Sequence, residues 1–170
     1  MQIIPSMDNQ IKKTRLYIGI DVGVNTGFAV YNPCNKSFLE LSTYNFWDTI
    51  EKLDYYIQQV AYQLENKCEL IVILEDVTGN RPTFDHDITG NTDRARKARE
   101  KISQNVGQNK RDYILIREYL LRKKIAVNSV TPNINSFTKL TAESFNNITK
   151  YKGKTTSHSR DAGMLCYGRM

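Results

Sequence analysis

The chain has 170 residues, 40% of them apolar and 10% aromatic, with a formal net charge of +6 and a pI near 9.2. Length and apolar content suit one ordinary domain with a real core and argue against general disorder. No run approaches the roughly 18 to 20 apolar residues of a membrane span, and the amino terminus lacks the basic-then-apolar order of a secretory leader, so a cytoplasmic protein without a membrane partner is expected.

Met1 to Thr14 mix Pro5, Asp8, Asn9 and Gln10 without a period and read as a tail, which leaves 15–170 as the domain. From Arg15, the alternation of Leu16, Ile18 and Ile20 predicts a strand ending at Asp21. A turn-rich Gly23-Val24-Asn25-Thr26-Gly27 leads to a second strand, Phe28 to Tyr31. The turn at Asn32 to Asn35 then introduces a third, Ser37 to Thr43. Trp47, Ile50, Leu53, Ile57, Val60, Ala61 and Leu64 recur at helical spacing, which predicts an amphipathic helix from Phe46 to Glu65. The continuous apolar run Leu70 to Leu74, closed by Glu75, is the pattern of a strand buried on both faces.

Thr78 to Asp93, with Gly79, Pro82 and Gly90, predicts a long loop. A basic segment follows, read as helical from Asp93 to Gln104, broken near Gly107, and helical again from Arg111 to Lys123. Ile125 to Val130 makes a last strand stopped by Pro132; Asn135 to Thr149 reads as a short helix, Lys150 to Thr156 as a basic loop, and Ser157 to Tyr167 as a closing helix. This order predicts an α/β fold on a five-stranded mixed sheet flanked by helices. Cys34, Cys68 and Cys166 are odd in number and widely spaced, which fits neither a disulfide framework nor a zinc site; buried, reduced thiols are expected.

Charge is unevenly spread. Between Asp93 and Lys124 eleven Lys or Arg stand against four acids, so this window carries more than the whole net charge of the chain. Such concentration points to a polyanionic partner, because phosphate neutralisation and counterion release supply much of nucleic-acid affinity. Three acids sit where regular elements hold them rigidly: Asp21 in the first strand, Glu75 at the end of the fourth, and Asp161 early in the last helix. An unpaired carboxylate on a central strand costs several kcal/mol, and a divalent cation offsets that cost; hard oxygen donors favour Mg²⁺ or Mn²⁺.

The first strand, Ile18-Gly19-Ile20-Asp21 with Gly23 and Gly27 following, the Val72-Ile73-Leu74-Glu75 strand end, and the His158-Ser159-Arg160-Asp161-Ala162 helix resemble, in that order, the RuvC-type Holliday junction resolvases. The resemblance runs from Leu16 to the carboxyl end. It implies a ribonuclease H-like fold and a homodimeric endonuclease for branched DNA such as four-way junctions, without a small-molecule cofactor. It further implies a site of Asp21, Glu75, His158 and Asp161 holding two Mg²⁺ or Mn²⁺ ions. By the same resemblance, Phe84 in the loop is the candidate for base stacking, and Arg94, Arg96, Lys97, Arg99 and Lys101 for phosphate contacts. Lys139, Lys150, Lys152 and Lys154 would line the cleft, and Tyr113, Ile114, Ile116, Tyr119 and Leu120 would supply the dimer face or, equally, serve as core. Two other functions compete: a YqgF-like nuclease acting on structured RNA, and a DNA-junction binding protein without cleavage.

Overall fold

The computed structural model describes residues 14–62, 68–79, 92–131 and 139–170. An antiparallel meander comes first, with β1 (Thr14–Asp21) paired to β2 (Thr26–Asn32) and β2 to β3 (Ser37–Tyr44). The first turn is closed by the Thr26 hydroxyl, which donates to the Gly23 carbonyl at 2.9 Å. In the second, the Asn32 side chain accepts the Cys34 N–H at 2.9 Å. Helix α1 (Phe46–Tyr62) starts where Asn45 Oδ1 accepts the Asp48 N–H at 2.9 Å. Then come β4 (Cys68–Glu75), α2 (Asp93–Arg122), β5 (Ala126–Val130), α3 (Ala142–Thr149) and α4 (Ser157–Cys166).

The strand order is β3-β2-β1-β4-β5, with β4 parallel to both β1 and β5, a five-stranded mixed sheet as the order of elements predicted. Two cores sandwich the sheet. On one face Leu16, Ile18, Ile20, Val72 and Leu74 pack under Leu53 and Val60 of α1 and Tyr113, Ile116 and Leu120 of α2. On the other, Tyr17, Ala29, Tyr31 and Ile73 meet Phe145 of α3 and Ala162 and Cys166 of α4. Among the described residues no helix is long and apolar enough to cross a membrane.

Several expectations are corrected. The basic segment is one continuous helix through Gly107, not two, because Ile102, Val106, Asn109, Tyr113, Ile116 and Leu120 keep one stripe of alternating three- and four-residue steps turned inward. A lone glycine costs a helix only about 1 kcal/mol, too little to break that register. Helix α3 begins at Ala142, where the Thr141 hydroxyl accepts the Ser144 N–H at 3.1 Å; residues 139–141 are not helical and 132–138 lie outside the described residues. Of the proposed dimer face, Tyr113, Ile116 and Leu120 are core, Tyr119 is half-buried with its hydroxyl on Asp54, and Ile114 alone is exposed. Cys166 is buried as expected, whereas Cys34 is exposed in the β2–β3 turn. Thr14, assigned to the tail, already pairs with β4, and the rest of that tail, 1–13, lies outside the described residues.

Candidate active site

Asp21 closes β1 and Glu75 closes β4. Because these strands are parallel neighbours with Ile20 paired to Leu74, the two carboxylates leave the same end of the sheet side by side. Alternation chooses their face. Ile20 and Leu74 point under α1 and α2, so the next residue on each strand points to the face that α4 covers.

Helix α4 brings the other two members. Its first turn is fixed by a capping box in which the Thr156 hydroxyl accepts the Ser159 N–H at 3.1 Å and the Ser159 hydroxyl accepts the Thr156 N–H at 2.9 Å. The Thr43 hydroxyl of β3 joins that of Thr156 at 2.5 Å, tying this turn to the sheet. His158 and Asp161, three residues apart, lie on one side of the helix.

Gly27 and Gly19 set how near α4 comes. A methyl group on Gly27 would overlap the backbone carbonyl of His158, and one on Gly19 would overlap that of Ala162. Gly27 is also the β2 partner of Asp21, so the gap that admits the helix opens beside that carboxylate. The glycines serve close helix-to-sheet approach, which only residues without a Cβ permit.

The result is a cluster. His158 Nδ1 stands 3.2 Å from Asp21 Oδ2, the Asp21 and Glu75 side chains are close enough to shift one another, and charge links Asp161 to the pair, Asp161 raising Asp21 and Glu75 raising Asp161. Burial is the main cause that pushes the Asp21 carboxyl above the usual range; Asp161 adds to this, while Glu75 and Lys139 oppose it. Glu75 is pushed up to about 8, first by burial and then by Asp21, so the buried pair resists carrying two negative charges. Burial and Glu75 raise Asp161, against the pull of Lys139, His158 and Arg160. Among the described residues, no three His, Cys, Asp or Glu side chains are arranged to hold a metal ion as they stand. The cluster is nevertheless short of positive charge, and its donors are hard carboxylate oxygens with one imidazole, a set suited to Mg²⁺ or Mn²⁺.

Of the predicted basic residues, Lys139 is brought to the acids. Lys150, Lys152 and Lys154 are exposed between α3 and α4. Arg94, Arg96, Lys97 and Lys101 are exposed on the first half of α2, where Arg96 pairs with Asp93 at 3.4 Å, and Arg99 is half-buried there. Phe84 lies outside the described residues.

No protein-family model matches the chain, and no curated protein matches it significantly.

Sequence reasoning passed over Arg160, whose guanidinium donates to the Leu140 and Thr155 carbonyls. Its acceptors are largely backbone oxygens, which leave no trace in residue types. Thr43 and Thr156 were missed for a related reason, since a hydroxyl pair 113 residues apart has no sequence signal.

The raised carboxyls make a stability prediction. A group whose folded pKa lies above its ordinary value stabilises the fold fully below that ordinary value and loses the contribution as pH rises through the folded one. For Glu75 that window runs from 4.5 to about 8. In chelator, the wild type is expected to lose thermal stability from pH 5 to pH 8, and Glu75→Gln to flatten the loss and be more stable at pH 8 by roughly 1 to 3 kcal/mol after solvent screening. Melting curves across that range decide it; parallel profiles for the two proteins would exclude the raised carboxyl.

Proposed function

We propose that the chain has a ribonuclease H-like fold and is a divalent-metal-dependent endonuclease that cuts branched DNA such as a four-way junction. The observation that carries this reading is the meeting of Asp21, Glu75, Asp161 and His158, drawn from β1, β4 and α4, at the ends of two parallel strands. Acids forced together against their own repulsion are what a cation site needs before the cation arrives. Asp21, Glu75 and Asp161, with His158, would hold Mg²⁺ or Mn²⁺. When bound, the metal would supply an activated water and charge neutralisation at the leaving oxygen.

The chain's own residues account for the rest. His158, hydrogen-bonded to Asp21, can take or give a proton at Nδ1 and orients that carboxylate. Lys139 meets the negative charge of a phosphate at the cluster, and Lys150, Lys152 and Lys154 extend that basic rim. The exposed cations of α2 hold backbone phosphates farther along the substrate. Pairing of two chains, which the resemblance implies, falls to Ile114, Leu115 and Leu121, the large apolar side chains of α2 left at the surface.

The deciding experiment incubates purified protein with Mg²⁺ or Mn²⁺ on a synthetic four-way junction, a flap, the matching duplex and a structured RNA. Nicking of the junction is expected. Cleavage of RNA alone would favour the YqgF-like reading, and a gel shift with no product under any divalent ion would leave a junction-binding protein.

The basic rim carries a prediction in which stability and binding move oppositely. Lys150 caps α3 in the left-handed region, with φ 59° and ψ 18°, where a side chain costs about 1 kcal/mol relative to glycine. Lys150→Gly is expected to raise stability by about 0.5 to 1 kcal/mol and to weaken junction binding, lowering the salt dependence by about one phosphate contact. Melting curves and binding at several salt concentrations read the two effects. Unchanged affinity at every salt concentration would remove Lys150 from the interface.

A further inference from the structure

The guanidinium of Arg160 spans two segments of the chain. Its Nε donates to the Leu140 carbonyl at 2.8 Å, while a terminal nitrogen donates to the Thr155 carbonyl at 3.3 Å and the Thr155 hydroxyl at 3.2 Å. Leu140 follows Lys139 directly, and Thr155 follows Lys154. Arg160 itself precedes Asp161 in the first turns of α4, so both basic segments are tied to the element that carries a member of the acidic cluster. A planar fork of donors suits this task, because it can satisfy acceptors in different directions from one half-buried side chain. Lys139 needs such an anchor. It is exposed, just before α3, and a long flexible side chain stays near a given point only when its backbone is held.

We propose that Arg160 is a positioning residue of the site: by clamping Leu140 and Thr155 to the start of α4, it holds Lys139 against the cluster of Asp21, Glu75 and Asp161 and keeps Lys154 on the same rim. The inference rests on the nuclease reading. Arg160 touches neither substrate nor metal in this role; it acts through Lys139.

Arg160→Lys is the informative variant, since it keeps the charge beside Asp161 but ends in one nitrogen that cannot bridge both segments. Single-turnover cleavage of a four-way junction at saturating protein with Mg²⁺ is expected to fall about tenfold in Arg160→Lys and in Lys139→Ala, and the double variant should be no slower than Lys139→Ala alone. Amide hydrogen exchange should quicken around Leu140 and Thr155 and stay slow within α4. Losses that multiply in the double variant overturn the proposal, as does exchange that the substitution leaves unchanged. A wild type that cuts no substrate overturns the nuclease reading and the positioning role with it, whereas full cleavage by Arg160→Lys overturns the positioning role alone, so the two failures are told apart.

Discussion

Asp21→Asn is expected to bind a four-way junction as the wild type does and to cut it slower by on the order of a thousandfold, equivalent to about 4 kcal/mol of barrier. Asp21 is the hub of the cluster: it hydrogen-bonds His158, is coupled to the Glu75 carboxyl beside it and feels the charge of Asp161. Asparagine keeps the shape and one acceptor oxygen, so β1 and its pairing with β2 and β4 stay in place. What it loses is the negative charge that would draw a cation between the strands and α4. Because burial and Asp161 both work against that charge, its removal should leave the metal-free fold at least as stable. Cleavage time courses, gel shifts and melting curves on the two proteins test all three parts. Equal cutting by the variant would remove Asp21 from the reaction, and lost binding would show that the carboxylate serves the fold or the DNA rather than the chemistry.

Gly27→Ala is the second large effect. The added methyl meets the His158 carbonyl and carbon and comes within 3.2 Å of the Ala162 side chain, all on α4, so the helix must lift from the sheet. Overpacking of this kind costs about 3 kcal/mol, which in a domain of this size is a fall of roughly 6 to 12 °C in Tm. Activity should fall further than stability alone explains, because the lifted helix carries His158 and Asp161 away from Asp21 and Glu75, and displacements near 1 Å can cost on the order of a hundredfold. Gly107→Ala is the control. It adds a methyl where nothing lies within 4 Å, in the middle of α2, and should raise stability by about 0.5 to 1 kcal/mol. A Tm unchanged by Gly27→Ala would mean that α4 does not rest on β2 as described.

The strands could be read from residue alternation because each side chain's face follows from the backbone pleat alone. Leu16, Ile18 and Ile20 point one way and Asp21 the other, whatever lies above them. For the same reason Glu75, closing the run Leu70 to Leu74, could be recognised as a carboxylate at a strand end. The helices were legible as periods but not as partners. Tyr113, Ile116 and Leu120 form a stripe that fits a dimer face and a core equally well, and only their packing beneath the sheet assigns them to the core. Gly107 looked like a break because propensity counts single residues, whereas the inward stripe that carries α2 through it depends on what the helix packs against.

The candidate site divides along the same line. Position on regular elements was enough to single out Asp21, Glu75 and Asp161, since alternation, helical spacing and strand ends are consequences of local backbone geometry, whereas His158 joined them only through the resemblance of its helix to a family motif. That Asp21 lies beside Glu75 depends on the parallel pairing of β1 with β4, and that His158 reaches Asp21 depends on α4 settling over Gly19 and Gly27. Those contacts join residues 54 and 137 positions apart, and no spacing along the chain encodes them. They arise only when two cores close on opposite faces of one sheet, which is why the tertiary structure, and not the sequence, decided the role of the glycines, the raised carboxyl of Glu75 and the reach of Arg160.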